Sequence, residues 1–302
     1  MLKLEGVYSV VPTPFNPDLK IDFESLKRVV ELYVKAGANG LTALGVTSET
    51  SRLTEKERDE VLRTVLKQVN GRIPVVAGTS ADGTQLCLEY TKAAMEAGAS
   101  AVMISPPRMP KLNSDAVVRH YRAVADAMNV SIVVQDYPPI SGYAMEASLL
   151  VRIAREVPNA RTIKLEDPPT PYKISRIKEQ SEGMEIRIFG GLGGMYLLEE
   201  LMAGATGAMT GFAYPEILQE IIRNHHSGDF AKAADIFYRH VALMRFEFQE
   251  VIGMAIRKEM LRRRGAFTHT AMRAPGAPLD TTTSKALDSL LAWMKQEGSP
   301  WI

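Results

Sequence analysis

The sequence predicts an α/β fold, a (β/α)8 TIM barrel with a C-terminal helical appendage, on three observations. Eight short apolar, β-branched runs recur along the chain. Amphipathic helical stretches separate them, so that runs follow one another at roughly 20–35 residues, the length of a β-α unit. One helix-to-strand joint occurs three times, as Ala36-Gly37-Ala38, Ala97-Gly98-Ala99 and Ala203-Gly204-Ala205. The runs are Val7–Val11, Leu41–Leu44, Pro74–Ala77, Ala101–Ile104, Ser131–Val134, Thr162–Leu165, Ile186–Phe189 and Gly207–Thr210. They are nearly continuous rather than alternating in polarity, which is the pattern of parallel strands buried on both faces. At each joint the glycine can take the left-handed conformation that ends a helix without strain. The repetition favours a closed cyclic barrel over an open doubly wound sheet.

After Pro215 no strand pattern returns. Apolar residues at helical spacing run through Ile236, Phe237, Val241 and Met244, then Val251 to Leu261, then Ala286 to Met294. The reading is therefore residues 1–224 as the barrel carrying the site and residues 225–302 as a helical region packed on it.

Composition narrows the function. With 46% hydrophobic and 24% charged residues the chain has the balance of a soluble globular protein rather than a disordered one. Its 36 basic and 35 acidic side chains leave a net charge of +1, which argues against a nucleic-acid or anionic-membrane partner, since both need a concentrated basic face. The only dense basic run, Arg262-Arg263-Arg264, reads as a helix end. A single cysteine, Cys87, sits among apolar neighbours, no apolar signal core opens the chain, and no window reaches about 20 apolar residues. A cytoplasmic location is the expectation. None of the five histidines pairs with a carboxylate at a strand end in the manner of a metal site, so neither a metal nor a cofactor is expected.

In a barrel of this kind reacting groups come from the C-terminal ends of the strands and the loops beyond them. The sixth strand ends Ile163-Lys164-Leu165-Glu166-Asp167, placing a lysine inside an apolar run. If Lys164 faces the lumen, burial disfavours its charged form and makes an amine available to attack a carbonyl; the alternative is a strand-end lysine paired with Glu166 or Asp167. The second strand leads into Gly45-Val46-Thr47-Ser48-Glu49-Thr50, a turn whose amides and hydroxyls can seat a carboxylate. The alternative there is helix capping by Ser51 or Thr54 with Glu57.

Taken together with Val11-Pro12-Thr13-Pro14-Phe15 after the first strand and Val75-Val76-Ala77-Gly78 on the third, these motifs resemble the dihydrodipicolinate synthase / N-acetylneuraminate lyase family along the whole barrel and into the helical tail. The resemblance implies class I chemistry, in which a lysine forms an imine with pyruvate or another 2-keto acid, in a homo-oligomer built as a dimer of dimers. Lys164 matches the imine lysine. Val46 and Thr47, with Ser48 next to them, match the carboxylate turn, and Gly191 matches a turn bordering the substrate's tail. Val46 departs from the family's usual hydroxyl residue.

Strands four and five depart further. Family members commonly carry Tyr-Asn-x-Pro where this chain has Gln135-Asp136-Tyr137-Pro138, so Gln135 stands at the position of a proton-relaying tyrosine. An amide cannot do ordinary acid–base work. Arg108 stands where synthases place an aromatic residue, and Ile140 where they place an arginine. Asp136 is a candidate acid or base and Tyr137 a candidate phenol. Arg108 is a candidate for a distal carboxylate. The Gln-Asp-x-Pro turn is closer to relatives that dehydrate 2-keto-3-deoxy sugar acids, such as 2-keto-3-deoxyarabonate dehydratase. The expected function is a lyase, aldolase or dehydratase, with three alternatives: a 4-hydroxy-tetrahydrodipicolinate synthase, a catalytically silent 2-keto-acid binding protein, and a phosphate-binding barrel using Gly190-Gly191-Leu192-Gly193-Gly194.

Overall fold

The computed structural model describes residues 2–302. Eight parallel strands pair in chain order, and the last closes on the first. They are β1 Gly6–Val10, β2 Gly40–Ala43, β3 Val75–Gly78, β4 Ala101–Ile104, β5 Ile132–Asp136, β6 Thr162–Leu165, β7 Arg187–Gly190 and β8 Gly207–Thr210. Around them lie α1 Phe23–Lys35, α2 Glu55–Val69, α3 Thr84–Glu96, α4 Ser114–Ala127, the short α5 Pro138–Ser141, α6 Ala147–Glu156, α7 Thr170–Gln180, α8 Leu197–Met202 and α9 Pro215–His226. The tail is α10 Phe230–Glu247, α11 Gly253–Arg263 and α12 Thr281–Gln296.

The expected runs and the strands agree to within a residue, except that β5 continues two residues beyond Val134. It does so because Gln135 and Asp136 keep register with Lys164 and Leu165 of β6. The three repeated glycines have φ of 82° (Gly37), 103° (Gly98) and 101° (Gly204). Thr54 and Glu57 form a reciprocal capping box at the start of α2, which gives the capping reading of that stretch its place just beyond the Gly45–Thr50 turn.

Two apolar clusters follow from the barrel's two faces. The lumen is filled by Tyr8, Val10, Val76, Met103, Val133, Phe189 and Met209, with Leu4 below; Tyr8 and Phe189 meet edge to face at 5.3 Å. The larger cluster joins the outer faces of the strands to the helices.

The tail is fastened to the barrel's mouth by buried charge. Lys258 on α11 is fully buried, and its Nζ lies 2.5 Å from Glu49 Oε1, donates to Ala271 O at 3.0 Å and sits 4.4 Å over the Phe15 ring. Arg52 reaches Glu49 Oε2, also at 2.5 Å. Glu49 has a left-handed backbone, φ 55°, a conformation that a non-glycine residue keeps only where its surroundings hold it. Burial pushes the Lys258 ammonium's pKa down, against the pull of Glu49. Removing one member of such a pair leaves a buried charge without compensation. Lys258→Met is therefore expected to cost about 3–5 kcal/mol in urea unfolding, and a loss below about 1 kcal/mol would show that the pair does not secure the tail.

Glu200 on α8 fills a slot behind β7. Thr170 Oγ1 donates to it at 2.6 Å, and a Cβ at Gly190 would collide with its carboxyl. Burial raises its pKa from 4.5 to about 7. The folded protein thus holds this proton more tightly than the unfolded chain, so the group's stabilising contribution is complete below pH about 4.5 and is lost as pH rises through about 7. Glu200→Gln should flatten the decline in melting temperature across that interval; an identical pH profile in the variant would remove Glu200 as its source.

Candidate active site

Facing alternates along each strand, and the pairing of Gln135 with Lys164 brings two lumen side chains side by side at the C-terminal mouth. Lys164 is 3% exposed. Two residues on, Glu166 faces the same way, with its Oε2 3.0 Å from Lys164 Nζ. Gln135 Nε2 donates to the same oxygen at 2.7 Å, and Ser105 Oγ donates to Gln135 Oε1 at 3.3 Å. Ser80 Oγ completes the chain: it lies 3.2 Å from Ser105 Oγ and accepts from Ser105 N at 2.9 Å. An ordered hydrogen-bond path thus leads from Ser80 to Lys164. Gly191 makes room for it, since a Cβ there would stand 2.3 Å from Glu166 Cγ.

Asp136 does not join this group. One residue past Gln135, it points outward into the helix layer, where Lys173 Nζ of α7 lies 2.6 Å from its Oδ2 and 2.7 Å from Asp167 Oδ2. Burial raises its pKa to about 6, with Lys173 opposing. The alternation places Asp136, a candidate acid or base, on the helix side of β5 rather than in the lumen. Tyr137, the second residue after Gln135, returns to the lumen side. It is half-buried, and its pKa is raised first by burial and then by the charges of Glu166 and Glu250.

The turn after β2 opens with a 3-10 turn, Val46–Ser48, and a second follows at Thr50–Arg52. Ser48 is engaged within the fold: its Oγ donates to Val11 O at 2.6 Å and accepts from Gly45 N at 3.1 Å, so it holds the turn in place rather than offering a free donor. Thr47 Oγ1 is buried without a partner. Val46 is exposed at the edge of a cleft of about 630 Å³ that reaches from Gly45 past Ser80 and Ser105 to Gln135 and Ile140. Arg108 and Arg58 border the same cleft, and Arg58 lies over the Tyr90 ring at 4.4 Å. Among the described residues no group of three or more His, Cys, Asp or Glu side chains is placed to hold a metal ion.

The structure therefore gathers Lys164 and Gln135 at the mouth, places Val46 and Arg108 on the cleft, and sets Ser48 and Asp136 apart. Sequence reasoning passed over Ser80, Ser105 and Arg58, and took Glu166 only as a counter-ion. The i, i+2 spacing from Lys164 was the signal that places Glu166 in the lumen.

Comparison with known proteins agrees with the fold. The profile of the Dihydrodipicolinate synthetase family matches residues 3–294. The chain is 33% identical over 288 residues to L-2-keto-3-deoxyarabonate dehydratase of Azospirillum brasilense, covering 93% of this chain and 92% of that one. It is 29% identical to 4-hydroxy-tetrahydrodipicolinate synthase of Phocaeicola vulgatus, covering 97% and 98%. The crystal structure of dihydrodipicolinate synthase from Rhodopseudomonas palustris superposes with a TM-score of 0.90 at 32% identity, covering 96% and 97%. A closed barrel with its tail, matched in sequence and in structure nearly from end to end, shows that the chain belongs to the dihydrodipicolinate synthetase family.

Proposed function

We propose that the protein is a class I lyase that dehydrates a 2-keto-3-deoxy sugar acid through an imine on Lys164. The observation that carries this reading is the carboxylate of Glu166, held 3.0 Å from Lys164 Nζ by the amide of Gln135. A base stands beside the amine at the mouth even though Gln135 occupies the position of the relaying tyrosine.

In the proposed sequence Glu166 accepts the ammonium proton and the neutral amine adds to C2 of the keto acid. Glu166 returns that proton to the C2 oxygen, which leaves as water and gives the iminium, so the carboxylate is free again and the C3 protons are acidified. Glu166 then takes one of them, forming the enamine. Its electrons expel the C4 hydroxyl, which leaves as water with the proton Glu166 has just received. Water finally hydrolyses the unsaturated imine and frees the amine. Tyr137, whose raised pKa keeps its proton in place, donates a hydrogen bond to the C4 oxygen. Gln135 positions Glu166 and passes no proton. The dehydratase named for the Azospirillum brasilense relative supports the substrate class. Synthase activity is disfavoured because Ile140, half-exposed on the cleft, offers nothing to the carboxylate of aspartate semialdehyde.

Borohydride treatment with pyruvate should leave a reduced adduct that peptide mapping places on Lys164. In Glu166→Gln the adduct should still accumulate, though more slowly because the ammonium loses its base, while deuterium exchange at the pyruvate methyl, followed by NMR, falls by about 10²–10⁴-fold. An adduct on another lysine would sink the imine assignment, and unchanged exchange would take Glu166 out of the reaction.

Steady-state kinetics on 2-keto-3-deoxy acids against pyruvate plus aspartate semialdehyde should show dehydration with little condensation. Efficient condensation would overturn the dehydratase reading and spare the imine. An adduct without turnover on any substrate would favour a 2-keto-acid binding protein.

A further inference from the structure

Arg257 lies on α11, in the tail, yet its guanidinium reaches the mouth of the barrel, beside Gly211 and Thr47. It is 3% exposed. Its Nε donates to Glu247 Oε1 at 2.7 Å, and Glu247 Oε2 accepts from Ala213 N at 3.1 Å, so the group is held from behind by a carboxylate that is itself fixed to the chain just past β8. The opposite edge is open. Nη1 meets only Met254 Sδ, a weak acceptor, at 3.5 Å, and no hydrogen bond from Nη2 is seen among the described residues.

Gly211 fixes where that edge points. It follows the lumen residue Met209 by two positions, so its missing side chain would face the lumen too. A Cβ there would stand 3.0 Å from Arg257 Nη1 and 2.9 Å from Thr47 Oγ1. The buried, unpartnered hydroxyl of the β2 turn and the free edge of a buried guanidinium therefore converge over one backbone position that carries no side chain. Two donors aimed together at the mouth of a barrel form a seat for an anion, and a guanidinium fork matches a carboxylate in shape as well as charge.

We infer that Arg257 and Thr47 together bind the α-carboxylate of the 2-keto acid, with Arg257 supplying the charge-assisted donors that the apolar Val46 does not. This assignment rests on the imine reading, because that chemistry requires a keto acid whose carboxylate lies near Lys164. The tail thereby contributes a binding residue to the barrel's site.

The test compares two ketones with and without the carboxylate charge. Half-saturation for the borohydride-trapped adduct on Lys164 is measured with pyruvate and with methyl pyruvate, in the natural protein and in Arg257→Met and Arg257→Lys. For pyruvate, Arg257→Met should raise half-saturation by about 10- to 100-fold, the range of a hydrogen bond to a charged group. Methyl pyruvate should change less than about twofold, and Arg257→Lys should fall between. Adding Thr47→Val should cost less in Arg257→Met than in the natural protein, since both residues serve one ligand. Equal losses for acid and ester, or no loss for either, would make Arg257 a tether of α11 and overturn the inference; if Arg257→Met does not fold, the Lys variant decides by the same comparison. Thermal shifts with pyruvate in Lys164→Met, with and without Arg257→Lys, read the seat without the imine. A pyruvate shift that the arginine change diminishes supports the seat even if no adduct forms, and one that it leaves intact overturns it.

Discussion

A strand in a closed parallel barrel gives every second side chain to the lumen and the others to the helices, and closure denies any strand the freedom to slip. Nearly all of the candidate site follows from that constraint. Gln135, Tyr137, Lys164, Glu166, Gly191 and Gly211 all occupy lumen-side steps at the C-terminal mouth. A single step separates Gln135, in contact with Glu166, from Asp136, which is buried against Lys173 among the helices. Chemical type alone would have ranked the aspartate above the amide; position reverses the order.

Charge burial is the second organising force. Glu49 with Lys258 and Glu247 with Arg257 are ion pairs with almost no solvent access. Such pairs contribute little net stability, because desolvation consumes much of the Coulomb gain. What they do supply is placement. The first ties the turn after β2 to α11, and the second aims a guanidinium along a line that the loop after β8 defines. An apolar interface could pack the tail equally well without fixing a donor's direction.

The fold was legible because its signals are local: apolar runs of four or five residues, glycines at three equivalent helix ends, and a capping box at Thr54. Lys164 was legible because a lysine within Thr162–Leu165 breaks an otherwise apolar strand. Glu166 was visible but taken as a counter-ion, since pairing and proton transfer use the same two residues and only the hydrogen bond from Gln135 distinguishes a held base. Arg257 had no local signal. It belongs to a helix whose apolar spacing reads as packing, and its direction depends on Glu247, Ala213 and a glycine just past β8, contacts made only once the tail folds back.

The path from Ser80 through Ser105 and Gln135 to Glu166 also behaves as an insulator. Hydroxyls pass protons readily, but a primary amide interrupts a proton wire, because it would have to pass through an imidic-acid tautomer to forward one. Here that break lies between the cleft-side serines and the carboxylate. In the proposed reaction, a proton lifted from carbon onto Glu166 therefore does not leave along this route. Placing an amide where a phenol would relay protons thus leaves Glu166 as the one group on this path that both takes the proton from carbon and returns it to a leaving oxygen.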